Sequence, residues 1–338
     1  MDNKLTKKRL SDLLSYEWIF MVIVCIVSII FWELLYDFGA VKLTAGQNFR
    51  YYYDYNIFPS GNAELRREIA DKKTFSYDVL KISSEAISAD HNVLRDRLSI
   101  QEGDVIFTDA VGIEDYKASL EKGETPKEKI RAFSIIDTID YKIGSIDVML
   151  ENAKKYLKEN AFNDGVDEQI AFDSYNRDNI SEQKVRTLFL NRNGKDNRFR
   201  STSTINQGVE KEIERIEKLH QNVVFMQSFI NNPENSDALI RYTKFSQSYE
   251  FTKTTQPNRY EDWVKVETEN QRDNDVYGIN LGKLKGGKNI TNFMQYKFDG
   301  ELTDIVIMAF DFTSYQPHLQ YESLSLICTT IKICTGAK

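Results

Sequence analysis

An uninterrupted apolar run near the N-terminus dominates the hydropathy pattern of the chain. Residues 18–32 contain no charged side chain, and tyrosines stand on either side at Tyr16 and Tyr36. At the helical rise of 1.5 Å per residue, the distance from one tyrosine to the other is about 30 Å, which matches the hydrocarbon thickness of a bilayer. Aromatic residues at both ends are typical of membrane interfaces. The pattern therefore predicts a transmembrane helix over residues 17–38.

The charges around this run predict its orientation. The first sixteen residues carry four basic and two acidic side chains, and a basic excess is retained on the cytoplasmic side. We expect residues 1–16 in the cytoplasm and residues 45–338 outside it, in a single-pass protein of the cell membrane. A cleaved signal peptide shares the basic start and apolar core. Because Phe38 occupies the −3 position of the candidate site Phe38-Gly39-Ala40, an uncleaved signal anchor is the preferred interpretation.

After the anchor, the patterns of strands and helices alternate with short spacers. The predicted elements are a strand over 47–56 with alternating aromatic residues, a capped helix over 63–70, a strand over 75–82, a helix over 92–98 and a strand over 104–109. Crossovers of this length join parallel strands and place helices on the faces of the sheet. This part of the chain therefore predicts an α/β fold.

The remainder of the chain first becomes helical and then returns to strands. Apolar residues recur at three- and four-residue spacing over 130–157 and 209–230, which predicts helices with one buried face. Further elements are predicted as strands over 277–282, 293–298 and 304–312, followed by a helix or last strand over 324–333. We expect two lobes, the first formed by about 47–111 with 276–338 and a mostly helical second lobe over about 112–275.

Composition and charge restrict the classes of function. The chain has 338 residues, a formal net charge of −7 and 3 cysteines. Nucleic-acid binding needs a concentrated basic surface, which the sequence does not show, so no nucleic-acid partner is expected. A C-terminus outside the cytoplasm would permit a disulfide between Cys328 and Cys334. Positions six apart, however, do not face each other on a regular helix.

The motifs of common enzymes and cofactor sites are missing from the sequence. Residues 282–288 approach a phosphate-binding loop, but Asn289 replaces the Ser or Thr that would bind magnesium. The sequence contains no nucleophile elbow, no zinc-protease motif and no calcium loop, and its three histidines are scattered. We therefore expect no metal, no cofactor and no enzymatic activity.

The order of the elements over 47–109 resembles the first lobe of the extracellular solute-binding proteins of carbohydrate ABC importers, which have the type II periplasmic-binding fold. Glu102-Gly103-Asp104-Val105 is similar to the Gly-Asp-x-Pro-Asp-Val-like segment that leads into the third strand of that family, without its Pro. The segments 277–282 and 304–312 look like the family's returning strands. The resemblance implies non-covalent capture of a sugar or oligosaccharide and an ABC permease as partner.

Candidate ligand contacts follow from the rule that ligands gather beyond the carboxyl ends of parallel strands. The candidates combine aromatic faces, hydroxyls and carboxylates that suit a neutral polyhydroxylated ligand: Tyr55, Ser84, Glu85, Thr108, Asp109 and Trp263. An alternative is a docking or scaffold protein of a membrane complex, built on a divergent binding-protein fold. A capture protein leaves these strand ends open, whereas a docking protein covers them with an apolar patch or fills them with its own side chains.

Overall fold

The computed structural model describes most of the chain, in fifteen segments. These are residues 7–39, 47–54, 57–59, 69–87, 91–99, 103–124, 130–138, 144–194, 196–244, 247–251, 263–267, 272–286, 294–296, 304–310 and 320–337. The chain divides into two units, Met1–Thr44 and Ala45–Lys338.

The first unit is built on one long helix, α1 (Lys7–Gly39). Its segment Trp18–Leu35 has a mean hydropathy of 2.6, and none of that segment is buried against other parts of the protein. Eighteen residues at 1.5 Å each span about 27 Å. The predicted apolar helix is confirmed, and it is long and apolar enough to cross a membrane.

The second unit mixes strands and helices along the chain. Its strands are β1 (Asn48–Tyr53), β2 (Ile57–Pro59), β3 (Lys81–Ala86), β4 (Val105–Asp109), β5 (Leu239–Lys244), β6 (Gln247–Phe251), β7 (Trp263–Glu267), β8 (Arg272–Asn280), β9 (Met294–Tyr296) and β10 (Ile305–Ala309). Its helices are α2 (His91–Ser99), α3 (Ile113–Glu121), α4 (Arg131–Thr138), α5 (Ile146–Asn160), α6 (Glu168–Asp173), α7 (Glu182–Asn193), α8 (Thr202–Asn231) and α9 (Gln320–Thr335).

Six of these strands form one mixed sheet in the order β3-β1-β4-β10-β8-β5. β1 pairs in parallel with both β3 and β4, as the sequence predicts for the first three long strands. β10 then pairs antiparallel with β4 and with β8, and β5 pairs antiparallel with β8. Two separate antiparallel ladders join β2 to β9 and β6 to β7. The predicted α/β class is thereby confirmed.

Helices cover both faces of this sheet. Alternate residues of a strand point to opposite faces, and accordingly Tyr51 and Phe107 belong to one core while Tyr52 and Ile106 belong to another. The first core also contains buried residues of α5, α8 and α9, and the second contains residues of α2, α3 and α4. Covering on both faces explains why every residue of β4 and β10 is buried.

The helical middle of the chain shares a core with the sheet. Leu157 of α5 and Leu219 of α8 are buried in the same apolar cluster as Phe107. The apolar stripe over 130–157 predicts a helical stretch with one buried face, and the structure divides this stretch into the two helices α4 and α5. Ser145 caps the N-terminus of α5 by accepting a hydrogen bond from the backbone N–H of Val148. A new helix therefore starts at Ile146.

The second strand lies later in the sequence than its pattern predicts. The prediction of a strand over 75–82 is wrong, since β3 begins at Lys81. Three side chains hold the preceding residues in turns instead. The ring of Phe75 packs 4.5 Å from that of Phe49, the Ser76 hydroxyl donates to Glu322 Oε1 at 2.6 Å, and the Tyr77 hydroxyl donates to Glu212.

The C-terminal segment 320–335 is the helix α9, so the helical alternative for residues 324–333 is confirmed. Both of its cysteines are buried and free. Burial raises the pKa of the Cys328 and Cys334 thiols to about 12, which keeps both thiols protonated and poorly reactive.

The glycine that precedes β4 has a positive φ and no room for a side chain. Gly103 has φ 107°, and a Cβ there would lie 2.2 Å from Tyr52 Cε2. We expect Gly103→Ala to lower the free energy of unfolding by about 2–4 kcal/mol. The alanine would adopt a strained backbone conformation and its Cβ would overpack against Tyr52, and the two effects add. Urea unfolding of the detergent-solubilised protein measures this loss. Gly165→Ala is the matched control, since Gly165 also has positive φ but an added Cβ would meet nothing within 4 Å. Equal losses in the two variants would contradict the steric argument.

Candidate functional site

The candidate site lies at the carboxyl edge of the parallel strands. The chain goes from β1 outward to β3 on one side and then to β4 on the other, so the topological switch point lies between β1 and β4. Ligands of doubly wound sheets bind in the crevice outside such a point. β8 ends at the same edge and β10 begins there, because Asn280 pairs with Val306 and Asp109 with Ile305.

A buried ion pair fills the crevice at the switch point. Asp54, the residue directly after β1, is fully buried, and its backbone N–H donates to Phe107 O of β4 at 2.8 Å. The carboxylate of Asp54 accepts from Arg131 Nε at 2.6 Å and from Arg131 Nη2 at 2.7 Å. It also accepts from the Thr108 hydroxyl at 2.8 Å. The crevice is therefore occupied by the protein's own guanidinium group, which α4 supplies from its first residue.

The neighbouring stretch of this edge is also internally paired. Asn280 Nδ2 donates to Asp304 Oδ1 at 2.8 Å, and Lys283 Nζ lies 3.6 Å from the same oxygen. The carbonyl oxygen of Asp304 accepts from the backbone N–H of Ala110 at 2.9 Å. These contacts join the start of β10 to the ends of β4 and β8.

Two of the candidate residues lie at this edge, and two lie inside a strand. Thr108 and Asp109 are both buried at the end of β4. Ser84 and Glu85 lie within β3, opposite Tyr51 and Tyr52, because that strand begins and ends later than predicted. Glu85 is exposed, and its Oε1 is 3.3 Å from Arg97 Nη2. The register places Glu85 level with Ile106 of β4, two residues before Thr108, so Ser84 and Glu85 do not reach the edge where Thr108 lies.

For the other two candidates, the described residues include no side chain. Trp263 begins β7, whose ladder with β6 is separate from the six-stranded sheet, and its side chain lies outside the described residues. Tyr55 also lies outside the described residues. The structure thus brings Thr108 and Asp109 together with two residues that the sequence argument missed, Asp54 and Arg131. The position of Asp54 directly after an aromatic strand is a signal that a sequence argument could have used.

A second buried polar cluster holds the turn that precedes β3. Glu212 of α8 is fully buried and accepts from the Tyr77 hydroxyl at 2.8 Å, from Arg192 Nη2 at 2.9 Å and from Arg215 Nη1 at 3.2 Å. Arg215 Nε also donates to Glu322 of α9 at 3.4 Å. Burial and the neighbouring Glu212 carboxylate raise the pKa of Tyr77, so its hydroxyl stays protonated as a donor. This cluster links α7, α8 and α9 to the turn.

The carboxyl group of Asp104 introduces a dependence of stability on pH. Burial raises its pKa from 3.8 to about 7, although the backbone N–H of Arg50 donates to Oδ2 at 2.7 Å. The folded state therefore binds a proton that the unfolded state has lost, so stability should fall as pH rises from about 4 to about 7, by at most about 1.4 kcal/mol per pH unit.

Asp104→Asn should remove this fall, and urea unfolding at several pH values measures it. Asp115→Asn is the control, because Asp115 is exposed on α3. A difference in stability between wild type and Asp104→Asn that is the same at pH 4 and pH 7 would contradict a raised pKa of Asp104.

Comparisons of the chain with protein-family models, with curated proteins and with solved structures found no match. Among the described residues, no group of three or more His, Cys, Asp or Glu side chains gathers to hold a metal ion. In the described part of the chain, the carboxyl edge is a hydrogen-bonded crevice with internal ion pairs, Arg131 with Asp54 and Lys283 with Asp304.

Proposed function

We propose that this chain is a membrane-anchored docking protein whose unit Ala45–Lys338 binds a membrane partner outside the cytoplasm. The observation that carries the proposal is the closed crevice at the switch point. Asp54 and Thr108 are buried and hydrogen-bonded to each other, and Asp54 is also paired with Arg131. A solute-binding protein would present open polar groups at this place.

The energetics of the closed crevice argue against capture of a neutral sugar there. A sugar would have to displace Arg131 from Asp54, and separating the partners of a buried ion pair is unfavourable by about 3–5 kcal/mol. A hydrogen bond between a sugar hydroxyl and a charged group contributes about 1.5–3 kcal/mol. Two such bonds would therefore only offset the free energy needed to separate Arg131 from Asp54. The loss of translational, rotational and conformational freedom of the sugar would then make its binding unfavourable.

The edge of the sheet supports docking. β3 ends the six-stranded sheet, and among the described strands it pairs only with β1. Leu80 and Ile82, just before and within this strand, have 43% and 42% of their surface exposed. An edge strand with exposed apolar side chains suits the addition of a strand from another chain.

The proposed partner and orientation rest on features of the sequence. The basic excess before α1 favours a cytoplasmic N-terminus and an extracytoplasmic unit Ala45–Lys338. The parallel arrangement of β3, β1 and β4 supports the resemblance to the first lobe of the type II periplasmic-binding fold. We therefore propose the permease of a carbohydrate ABC importer as the partner.

The experiment is site-specific photo-crosslinking in native membranes. A photoreactive amino acid replaces Ile82 in the full chain, and the control replaces Ile170, which is 64% exposed on α6. We expect a discrete adduct with an integral membrane protein from position 82 and not from position 170. Equal labelling from both positions would overturn docking at β3. A dose-dependent rise in Tm with neutral sugars, lost in Asp54→Asn, would favour sugar capture instead.

A further inference from the structure

A groove lies between the turn that precedes β3 and the helices α8 and α9. Its volume is about 780 Å³, within the range of small-molecule sites. Its lining contains none of the residues of the closed crevice described above. The groove is therefore a separate cavity of the unit Ala45–Lys338.

The lining of this groove is positively charged, although the whole chain has a formal net charge of −7. Six basic residues line it: Lys72, Lys73, Lys211, Arg215, Lys218 and Lys332. Three acidic residues also line it, and one of them, Glu322, is paired with Arg215. Without this pair, five basic and two acidic residues remain in the lining. A concave basic surface on an acidic protein attracts small anions.

A buried tyrosine and the neighbouring guanidinium of Arg215 form part of one wall of the groove. Tyr321 lines the groove and is only 5% exposed, and its hydroxyl has no hydrogen-bond partner among the described residues. Buried hydroxyl groups are nearly always paired, so an unpaired one calls for an explanation. The guanidinium of Arg215 lies 4.8 Å from the centre of the Tyr321 ring, which brings positive charge to the same wall.

The position of Lys218 fits the same function. Its Nζ donates to the backbone carbonyl oxygens of Lys72 and Lys73, which holds an ammonium group at the mouth of the groove. Burial lowers the pKa of Lys218, and the nearby Lys332 ammonium contributes to the same shift. An anion bound beside these two lysines would relieve their mutual repulsion.

We propose that this groove binds a small organic anion, with a carboxylate or phosphate group held by the lysines. This is a small-molecule site on a docking protein, distinct from the strand ends at which sugar contacts were predicted. The proposal of this anion site does not depend on the proposal of a partner at β3, so either one can be refuted without the other.

The first experiment is a thermal-shift titration of the detergent-solubilised full chain at low ionic strength. The anionic probes are inorganic phosphate, citrate and glucose 6-phosphate, and glucose is the neutral counterpart of the last. We expect at least one anionic probe to raise Tm saturably by about 2 °C or more, with an effect that weakens as salt is added. Glucose should give no shift. The proposal is overturned if none of the three anions raises Tm.

Two variants test whether the anion binds in the groove. Lys72→Glu/Lys211→Glu reverses two exposed charges of the lining and should raise Kd at least tenfold, whereas Lys155→Glu, on α5 and outside the lining, should leave Kd within a factor of two. Equal Kd values in the double variant and in Lys155→Glu would show nonspecific binding and overturn the site.

Discussion

Asp54→Ala should lower the free energy of unfolding of the unit Ala45–Lys338 by about 3–5 kcal/mol. The substitution leaves Arg131, whose side chain is 16% exposed, without the carboxylate that accepts two of its hydrogen bonds. A largely buried charge that loses its partner is destabilising by this amount. The Thr108 hydroxyl also loses its acceptor. Urea unfolding of the full chain in detergent, followed by tryptophan fluorescence and circular dichroism, measures the loss.

Two further variants separate the ion pair from a general effect of the substitution. Asp54→Asn/Arg131→Met removes both charges and keeps an acceptor for Thr108, so it should recover the greater part of the lost stability. Glu85→Ala breaks an exposed ion pair with Arg97 and should change stability by at most about 1 kcal/mol. The assignment of a buried ion pair would be refuted if the loss of stability in the double variant equalled the sum of the losses measured separately in Asp54→Asn and Arg131→Met.

Glu212→Gln is expected to have a similarly large effect, about 3–5 kcal/mol. Glu212 is fully buried and is the shared carboxylate partner of Arg192 and Arg215. Glutamine has nearly the same volume and still accepts from the Tyr77 hydroxyl, so the loss isolates the negative charge. Equilibrium unfolding measures the change in stability. Hydrogen exchange should also become faster over residues 74–80, because the cluster holds that turn.

The control for Glu212→Gln is Glu210→Gln on the same helix. Glu210 is exposed, and a surface substitution of this kind changes stability by about 0.5 kcal/mol or less. If Glu212→Gln does not fold, Glu212→Gln combined with Arg192→Met removes one of the two cations that lose Glu212 as a partner and should restore a folded protein. Wild-type stability in Glu212→Gln would show that the buried carboxylate does not hold the cluster.

The two polar regions of the unit Ala45–Lys338 differ in how far their charges are balanced. At the switch point, the carboxylate of Asp54 is matched by the guanidinium of Arg131, and the crevice is closed. In the groove, basic residues outnumber acidic ones and the Tyr321 hydroxyl is unpaired among the described residues. Small-molecule binding is therefore proposed for the groove, and docking for the edge strand β3.

Much of the fold could be predicted from local patterns. The apolar run around Trp18 to Leu35 indicates α1, because only a long run without charge suits a membrane. Alternation at Phe49, Tyr51 and Tyr53 correctly places these three side chains on one face of β1, and all three lie in the same core. The three-and-four spacing of Val209 to Phe229 likewise indicates the buried face of α8.

The position of β3 depended on the tertiary structure. The residues 75–80 have the composition of a strand, yet Phe75, Ser76 and Tyr77 contact Phe49, Glu322 and Glu212, residues distant in the sequence. Tertiary contacts override a weak local preference for strand, and the shift moves Ser84 and Glu85 away from the strand end.

The sequence by itself determined the apolar helix, the alternation of strands and helices, and the aromatic face of β1, because each of these depends on neighbouring residues. Only the tertiary structure decided how polar groups are paired. Arg131 lies 77 positions from Asp54, and Glu322 lies 107 positions from Arg215. Pairing at such separations depends on the order of the strands and on the packing of helices against them, which no local pattern of hydrophobic and polar residues encodes.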